Sequence, residues 1–196
     1  MSLPALHVGA DIRSITERVN VLIRDYNQYG LRGLLTTRGD LLVRGAGDVA
    51  RLPLGAAGTI LTSDGTDALW SGLPTLTNSL AANVALNNTA NYFTGPQVAQ
   101  GTSGTWLVMG SICANNPTNA SNYFAKLWDG TTVIDSGVNR TTIAGEVTTL
   151  SFAGVISNPV GNLRISVRDG NQTTGAILFN VTGTAKDSTL TAVRIG

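Results

Sequence analysis

Val8-Gly9-Ala10-Asp11-Ile12-Arg13-Ser14-Ile15-Thr16-Glu17-Arg18-Val19-Asn20-Val21-Leu22-Ile23-Arg24-Asp25-Tyr26-Asn27-Gln28-Tyr29-Gly30 is the stretch whose pattern decides how the chain is organised. Val8, Ile12, Ile15, Val19, Leu22, Tyr26 and Tyr29 recur at spacings of four and three, the heptad signature of a helix that buries one seam against another helix. Asp11 is placed to cap such a helix, and Ser14 with Glu17 fits a capping box for a later start. Gly30 ends the run. The pattern predicts a helix over about residues 11–29, on the order of 28 Å long. Ile12, Val19 and Tyr26 fill one core position, and Ile15, Leu22 and Tyr29 fill the other. Isoleucine at both positions of the first layer favours three strands, whereas the Val19/Leu22 layer favours two. Two partners fit the stripe: sister copies of the helix, or the chain's own domain. Sister copies are favoured, because no neighbouring segment offers a matching helix. Val21 and Ile23 lie off the seam and point to contact with a further protein.

Beyond Gly30 almost nothing reads as helix. Residues 31–73 hold short β-prone runs (Gly39–Val43, Val49–Leu54, Thr59–Thr62 and Ala68–Trp70) punctuated by Gly45, Gly47, Gly55, Gly58, Gly65 and Gly72. Strands so short do not build a monomeric core. The expectation is an intertwined β collar in which several chains share a sheet. Residues 74–100 read as a polar connector. From residue 101 onward, period-two alternation predicts a β-sandwich of seven or eight strands, jelly-roll-like in spacing. Its strands are expected at Trp106–Ala114, Tyr123–Trp128, Thr132–Ser136, Glu146–Ile156, Asn162–Asp169, Ala176–Thr184 and Thr189–Ile195.

Composition narrows the function classes. Charged residues are 13% of the 196, about half the usual share. A surface so poor in charge is kept out of water most simply by packing against copies of itself. The net charge of +1 draws the chain neither to nucleic acid nor to an anionic membrane. No run reaches the roughly 18 apolar residues of a membrane span, so membrane insertion is not expected. Cys113 is the single cysteine and forms no disulfide within the chain; it reads as a buried thiol. Residues 1–10, with Pro4 and Gly9, are too irregular to fold alone and read as an anchor docked on a partner.

The segment Thr36-Thr37-Arg38-Gly39-Asp40-Leu41-Leu42-Val43, followed by Ala50-Arg51-Leu52-Pro53-Leu54-Gly55 and Leu69-Trp70, resembles a recurring module of tailed-bacteriophage fibre proteins. More loosely, Gly104-Thr105-Trp106 through Lys126-Leu127-Trp128-Asp129-Gly130, with Lys186-Asp187-Ser188-Thr189, looks like the jelly-roll head of similar virion proteins. Together the matches cover about residues 36–70 and 90–196. The resemblance implies a homotrimer: helices from residues 1–30 that join another virion protein, a β collar over 31–73, and jelly-roll heads. It implies a place on the virion surface after assembly in the bacterial cytoplasm. Tail fibre and capsid head fibre or decoration protein share this layout, and the residues leave both open. The resemblance transfers no ligand residues.

The chemistry-bearing residues point away from catalysis. His7 is the only histidine, so no His-based triad or metal cluster is expected within the sandwich. Glycosidic cleavage requires two carboxyl groups flanking a cleft. The only glutamates are Glu17 and Glu146, and most aspartates lie beside Gly or Ser as turn residues. Asp64-Gly65-Thr66-Asp67 lacks the ligand alternation of a calcium loop. Arg38-Gly39-Asp40 spells an adhesion tripeptide but reads better as a turn opening a strand. No cofactor and no enzymatic activity are expected. For a host-surface glycan, Trp128 and the amide-rich loops 115–122 and 169–175 supply the candidate contacts: Asn119, Asn171, Gln172 and Thr173. Core packing is the favoured reading of Trp106 and Trp128. The trimerisation residues are Ile12, Ile15, Val19, Leu22, Tyr26 and Tyr29.

Overall fold

The computed structural model describes residues 8–29 and 31–196, which divide into two units, Met1–Gly72 and Leu73–Gly196. His7, most of the expected anchor and the Gly30 stop lie outside the described residues.

In the first unit, helix α1 runs Val8–Tyr29 and a single turn, α2, follows at Leu31–Leu34. The helix begins three residues earlier than expected, so Asp11 and Ser14 sit inside it rather than at its cap. Its hydroxyl-bearing Thr16 donates back to the Ile12 carbonyl at 2.9 Å, a bond available only within helix. Ile12, Ile15, Val19, Leu22 and Tyr26 are 46–69% exposed, so the whole described stripe is open. The Tyr29 side chain lies outside the described residues.

Four short strands follow: β1 (Leu41–Arg44), β2 (Val49–Leu52), β3 (Ile60–Ser63) and β4 (Ala68–Ser71). They pair as two local antiparallel hairpins, β1 with β2 and β3 with β4. Within the chain, each strand of the expected collar is thus paired with its neighbour in sequence. The turns decide it. Asp64 Oδ1 accepts from the Thr66 and Asp67 amides at 2.8 Å each, folding the chain straight back on itself. The Arg38-Gly39-Asp40 turn is equally structural. The Asp40 carboxylate accepts from Thr36, Thr37 and Leu54 and pairs with Arg51 at 2.9 Å, so it is not free to meet a receptor. Trp70 then ties the second hairpin to the end of β2, its indole donating to the Pro53 carbonyl at 2.7 Å. A Cβ on Gly55 would come within 2.5 Å of that ring, which is why glycine stands there. No described residue of this unit belongs to the buried core.

The second unit is a sandwich of ten strands: β5 (Thr75–Ser79), β6 (Val84–Leu86), β7 (Phe93–Val98), β8 (Thr105–Asn115), β9 (Asn122–Trp128), β10 (Val133–Arg140), β11 (Val147–Ser157), β12 (Leu163–Asp169), β13 (Gly175–Leu178) and β14 (Thr189–Arg194). One sheet has the order β10-β9-β12-β7. In the other, β8 pairs with β11 along its whole length and, on its opposite side, with β14 and then β13; β5 and β6 lie outside these. Residues 74–100 are therefore no connector. Their strands are short, and their outward positions (Thr75, Thr77, Thr94, Gln97) are polar, which hides Leu76, Leu86 and Val98 on the inner face.

Alternation builds the core between the sheets. Val108, Ile112 and Ala114 of β8, Tyr123, Ala125 and Leu127 of β9, and Leu163, Ile165 and Val167 of β12 all point inward and are essentially inaccessible. Each large aliphatic among them stabilises the fold by about 1.5–3 kcal/mol. Trp106 joins them, as expected. Cys113 does not: its odd position on β8 turns the thiol to the outer face, half-buried, 3.2 Å from Thr149 Oγ1.

Candidate functional site

The inward set on β9 and β12 forces a complementary outward set. On β9 it is Phe124, Lys126 and Trp128; on β12 it is Arg164, Ser166 and Arg168. The antiparallel register sets Arg164 opposite Trp128, Ser166 opposite Lys126 and Arg168 opposite Phe124. Cations and aromatic rings thus alternate across the two central strands of the four-stranded sheet, with Tyr92 beside them just ahead of β7.

The geometry is close. Lys126 Nζ lies 3.3 Å from the centre of the Trp128 ring and 4.5 Å from that of Tyr92. The Arg164 guanidinium lies 4.9 Å from the Trp128 centre. That of Arg168 lies 4.7 Å from the Phe124 centre and 5.5 Å from the Tyr92 centre. Each such contact contributes about 0.5–2 kcal/mol, more as water is excluded. The Trp128 indole donates to the buried Ser166 hydroxyl at 2.9 Å, which fixes the ring. Burial first, and then the neighbouring Arg164 charge, lower the Lys126 pKa below its ordinary value.

Two glycines leave room for the row. A Cβ on Gly130 would collide with the Arg164 guanidinium, and one on Gly170 would come within 2.5 Å of the Phe124 ring. Both belong to Asp-Gly turns read from the sequence as punctuation alone.

Beyond the rings, the three cations have no anionic partner among the described residues. Among the described residues, neither Lys126, Arg164 nor Arg168 lies within 4 Å of a carboxylate, and none donates a side-chain hydrogen bond. The carboxylates of the surrounding turns are engaged elsewhere. Asp129 accepts from the amides of Thr131, Thr132 and Val160. Glu146 accepts from Thr142 and Ile143.

The candidates named from the sequence fall in two places. Trp128 belongs to the row, on the outer face of its sheet rather than in the core. Tyr123, on the same strand, faces inward and is fully buried, and burial pushes its phenol up to about 12, the Asp169 charge adding to the rise. Loops 115–122 and 169–175 do meet, at the end of β9 away from Trp128, about 20 Å along the strand. Their amides are largely taken up in holding one another. Asn116 Oδ1 accepts from Thr118, Asn119 and Thr174, and Asn171 Oδ1 accepts from Asn122. Asn171 and Gln172 donate their backbone N–H groups to the buried Asp169. Thr173 is exposed. Lys126, Arg164, Arg168 and Tyr92 were not singled out from the sequence as contacts. The signal was there in part: Phe124-Ala125-Lys126-Leu127-Trp128 and Arg164-Ile165-Ser166-Val167-Arg168 each alternate cleanly.

The opposite outer face, on the six-stranded sheet, is unlike this one. The outward positions of β5, β8, β11 and β14 hold no charged residue, only hydroxyls, amide, thiol and apolar side chains such as Leu107, Met109, Val155 and Val193. Hydroxyls there pair with each other, Thr77 with Thr191 at 3.0 Å and Ser79 with Thr189 at 2.8 Å.

The chain matches no family model and none of the curated proteins compared with it. Among solved structures it is similar to Eiger TNF from S. frugiperda, with 9% identity over 63% of this chain and 93% of that one and a TM-score of 0.42. It is similar to the C-terminal CBM6 of LamC, a marine laminarinase from Zobellia galactanivorans, with 14% identity over 62% and 100% of the two chains and a TM-score of 0.32. A third similarity is to infectious bursal disease virus, Gt strain, with 16% identity over 83% of this chain and 46% of that one and a TM-score of 0.34. Likenesses of this size carry no argument about function. The sandwich stands on its own strand pairing.

Proposed function

We propose that the chain is one protomer of a non-enzymatic, trimeric fibre on the surface of a tailed-bacteriophage virion, joined to another virion protein through residues 1–30. Its sandwich serves as a head for adhesion to the host surface. The observation that carries this reading is the open heptad stripe of α1, on a unit that contributes none of its described residues to the buried core. Five large apolar side chains in water cost the isolated helix several kcal/mol, which sister helices would recover by burying the seam. The outer face of the six-stranded sheet, whose strands β5, β8, β11 and β14 place no charged residue outward, supports the same reading, since few charges would have to be desolvated on meeting its own copy.

Mass in solution tests it. Light scattering on the full-length chain is expected to return three times the 20.3 kDa chain mass. A well-behaved single-chain mass would remove the basis of the proposal. Immunogold electron microscopy of particles then separates a tail position, the first reading, from a capsid head fibre or decoration protein.

A dedicated glycan-binding module is the second reading. The ring-and-cation row favours it, and it is compatible with the first.

A further inference from the structure

We propose that the outer face of the four-stranded sheet binds an acidic saccharide, through carboxylate or phosphate groups held by Lys126, Arg164 and Arg168. The inference rests on the reading of the sandwich as a host-surface adhesin and names the ligand class and the residues.

Three observations combine. The first is charge: three cations share one face, and no carboxylate among the described residues lies within 4 Å of them. The rings offset part of their mutual repulsion, and an anion from outside would offset the rest. The second is unused hydrogen-bonding capacity. Lysine carries three N–H donors and arginine five, and none of these side chains donates to a protein acceptor among the described residues. The Nε atoms of Arg164 and Arg168 are shielded and without an acceptor, which leaves the terminal amino groups to meet a ligand. The third is preorganisation. The cations are held against rings on adjacent strands, so a ligand does not have to order long flexible side chains first.

The geometry also selects among anions. Arg164 and Arg168 are four positions apart on one strand, about 13 Å, with Lys126 opposite the midpoint. A row of that length suits repeated charges along an oligomer better than one small ion. Neutral sugars would need an open ring to stack on. Here Trp128 carries Lys126 and Arg164, Phe124 carries Arg168, and Tyr92 faces both Lys126 and Arg168. Nucleobases need open rings as well. An acidic oligosaccharide asks only for the donors that are free.

The test uses the full-length chain and calorimetric titration at low and raised salt. The probes are an oligogalacturonate, a phosphorylated mannooligosaccharide, a neutral maltooligosaccharide of equal length and a single-stranded oligonucleotide. The proposal expects salt-sensitive binding of one or both acidic saccharides and none of the neutral one; which acid is bound identifies the source of charge. Lys126→Gln and Arg168→Gln are each expected to weaken binding about tenfold or more, and Arg168→Lys to weaken it less than Arg168→Gln. Light scattering and thermal melting of each variant report folding and assembly separately. Three outcomes would overturn the proposal: no binding of either acid by folded protein, equal binding of the maltooligosaccharide, or tighter binding of the oligonucleotide. A single-chain mass with acidic-saccharide binding intact would instead sink the trimeric fibre and leave this site standing.

Discussion

Lys126 Nζ rests 3.3 Å from the centre of the Trp128 ring, two positions further along the same strand. Residues at i and i+2 of a strand share a face, so this contact is local. Arg164 joins the same ring from the neighbouring strand, at 4.9 Å. Two like charges are thereby held close by one electron-rich surface. The Ser166 hydroxyl, buried below, keeps that surface in place.

Replacing Trp128 with Phe keeps a ring for the cations but removes the donor to Ser166, whose hydroxyl oxygen is then buried without that partner. Chemical denaturation is expected to show a loss of about 1–2 kcal/mol. Unchanged stability would mean that Ser166 finds another partner and does not fix the ring.

Asp129 makes the sandwich sensitive to acid. Burial alone would raise its carboxyl, but the amides of Val160, Thr132 and Thr131 outweigh burial and hold it below the ordinary 3.8. A depressed carboxyl contributes stability above its unfolded value and loses it as pH falls through the lower folded value. The wild-type chain should therefore lose stability below about pH 4. Asp129→Asn should already be weaker at neutral pH, by about 1–3 kcal/mol, with a flatter acid limb in pH-dependent melting. Parallel acid limbs for the two proteins would exclude Asp129 as the titrating group.

Gly130 has φ of +99°, a conformation that L side chains rarely adopt. Gly130→Ala is expected to cost about 1–2 kcal/mol and to push the Arg164 guanidinium off its place beside Trp128. Denaturation reads the first effect. NMR reads the second: introducing Arg164→Gln should change the Trp128 indole shift less in the Gly130→Ala background than in the wild-type chain.

Ile15→Asp with Leu22→Asp places charge in the helical seam. Trimer content measured by light scattering should fall while the sandwich melts as before, because its core lies wholly within the second unit. A mass equal to that of the unaltered protein would show that α1 does not hold the copies together.

Much of the second unit was legible because alternation is a local property. Trp106 through Ala114, Tyr123 through Trp128 and Leu163 through Asp169 declare their strands and inner faces residue by residue. The same parity already placed Phe124, Lys126 and Trp128 together on the outer side. The strands of residues 74–100 were not legible, since they are only three to six residues long and need β14, β13 and β12 as neighbours before Leu76, Leu86 and Val98 have a core to enter. Nor were the hubs Asn116 and Asp169, whose loops meet only once β9 and β12 are paired.

By itself, then, the order of residues determined the helix with its apolar stripe, the hairpin turns of the first unit and the face on which most sandwich side chains lie, because backbone sterics and short periodicities act between near neighbours. Which strand lies beside which was decided by the tertiary structure alone. It is that register, Arg164 against Trp128 and Arg168 against Phe124, that gathers scattered cations and rings into one row, since contact across strands depends on the burial of a shared core and not on separation along the chain.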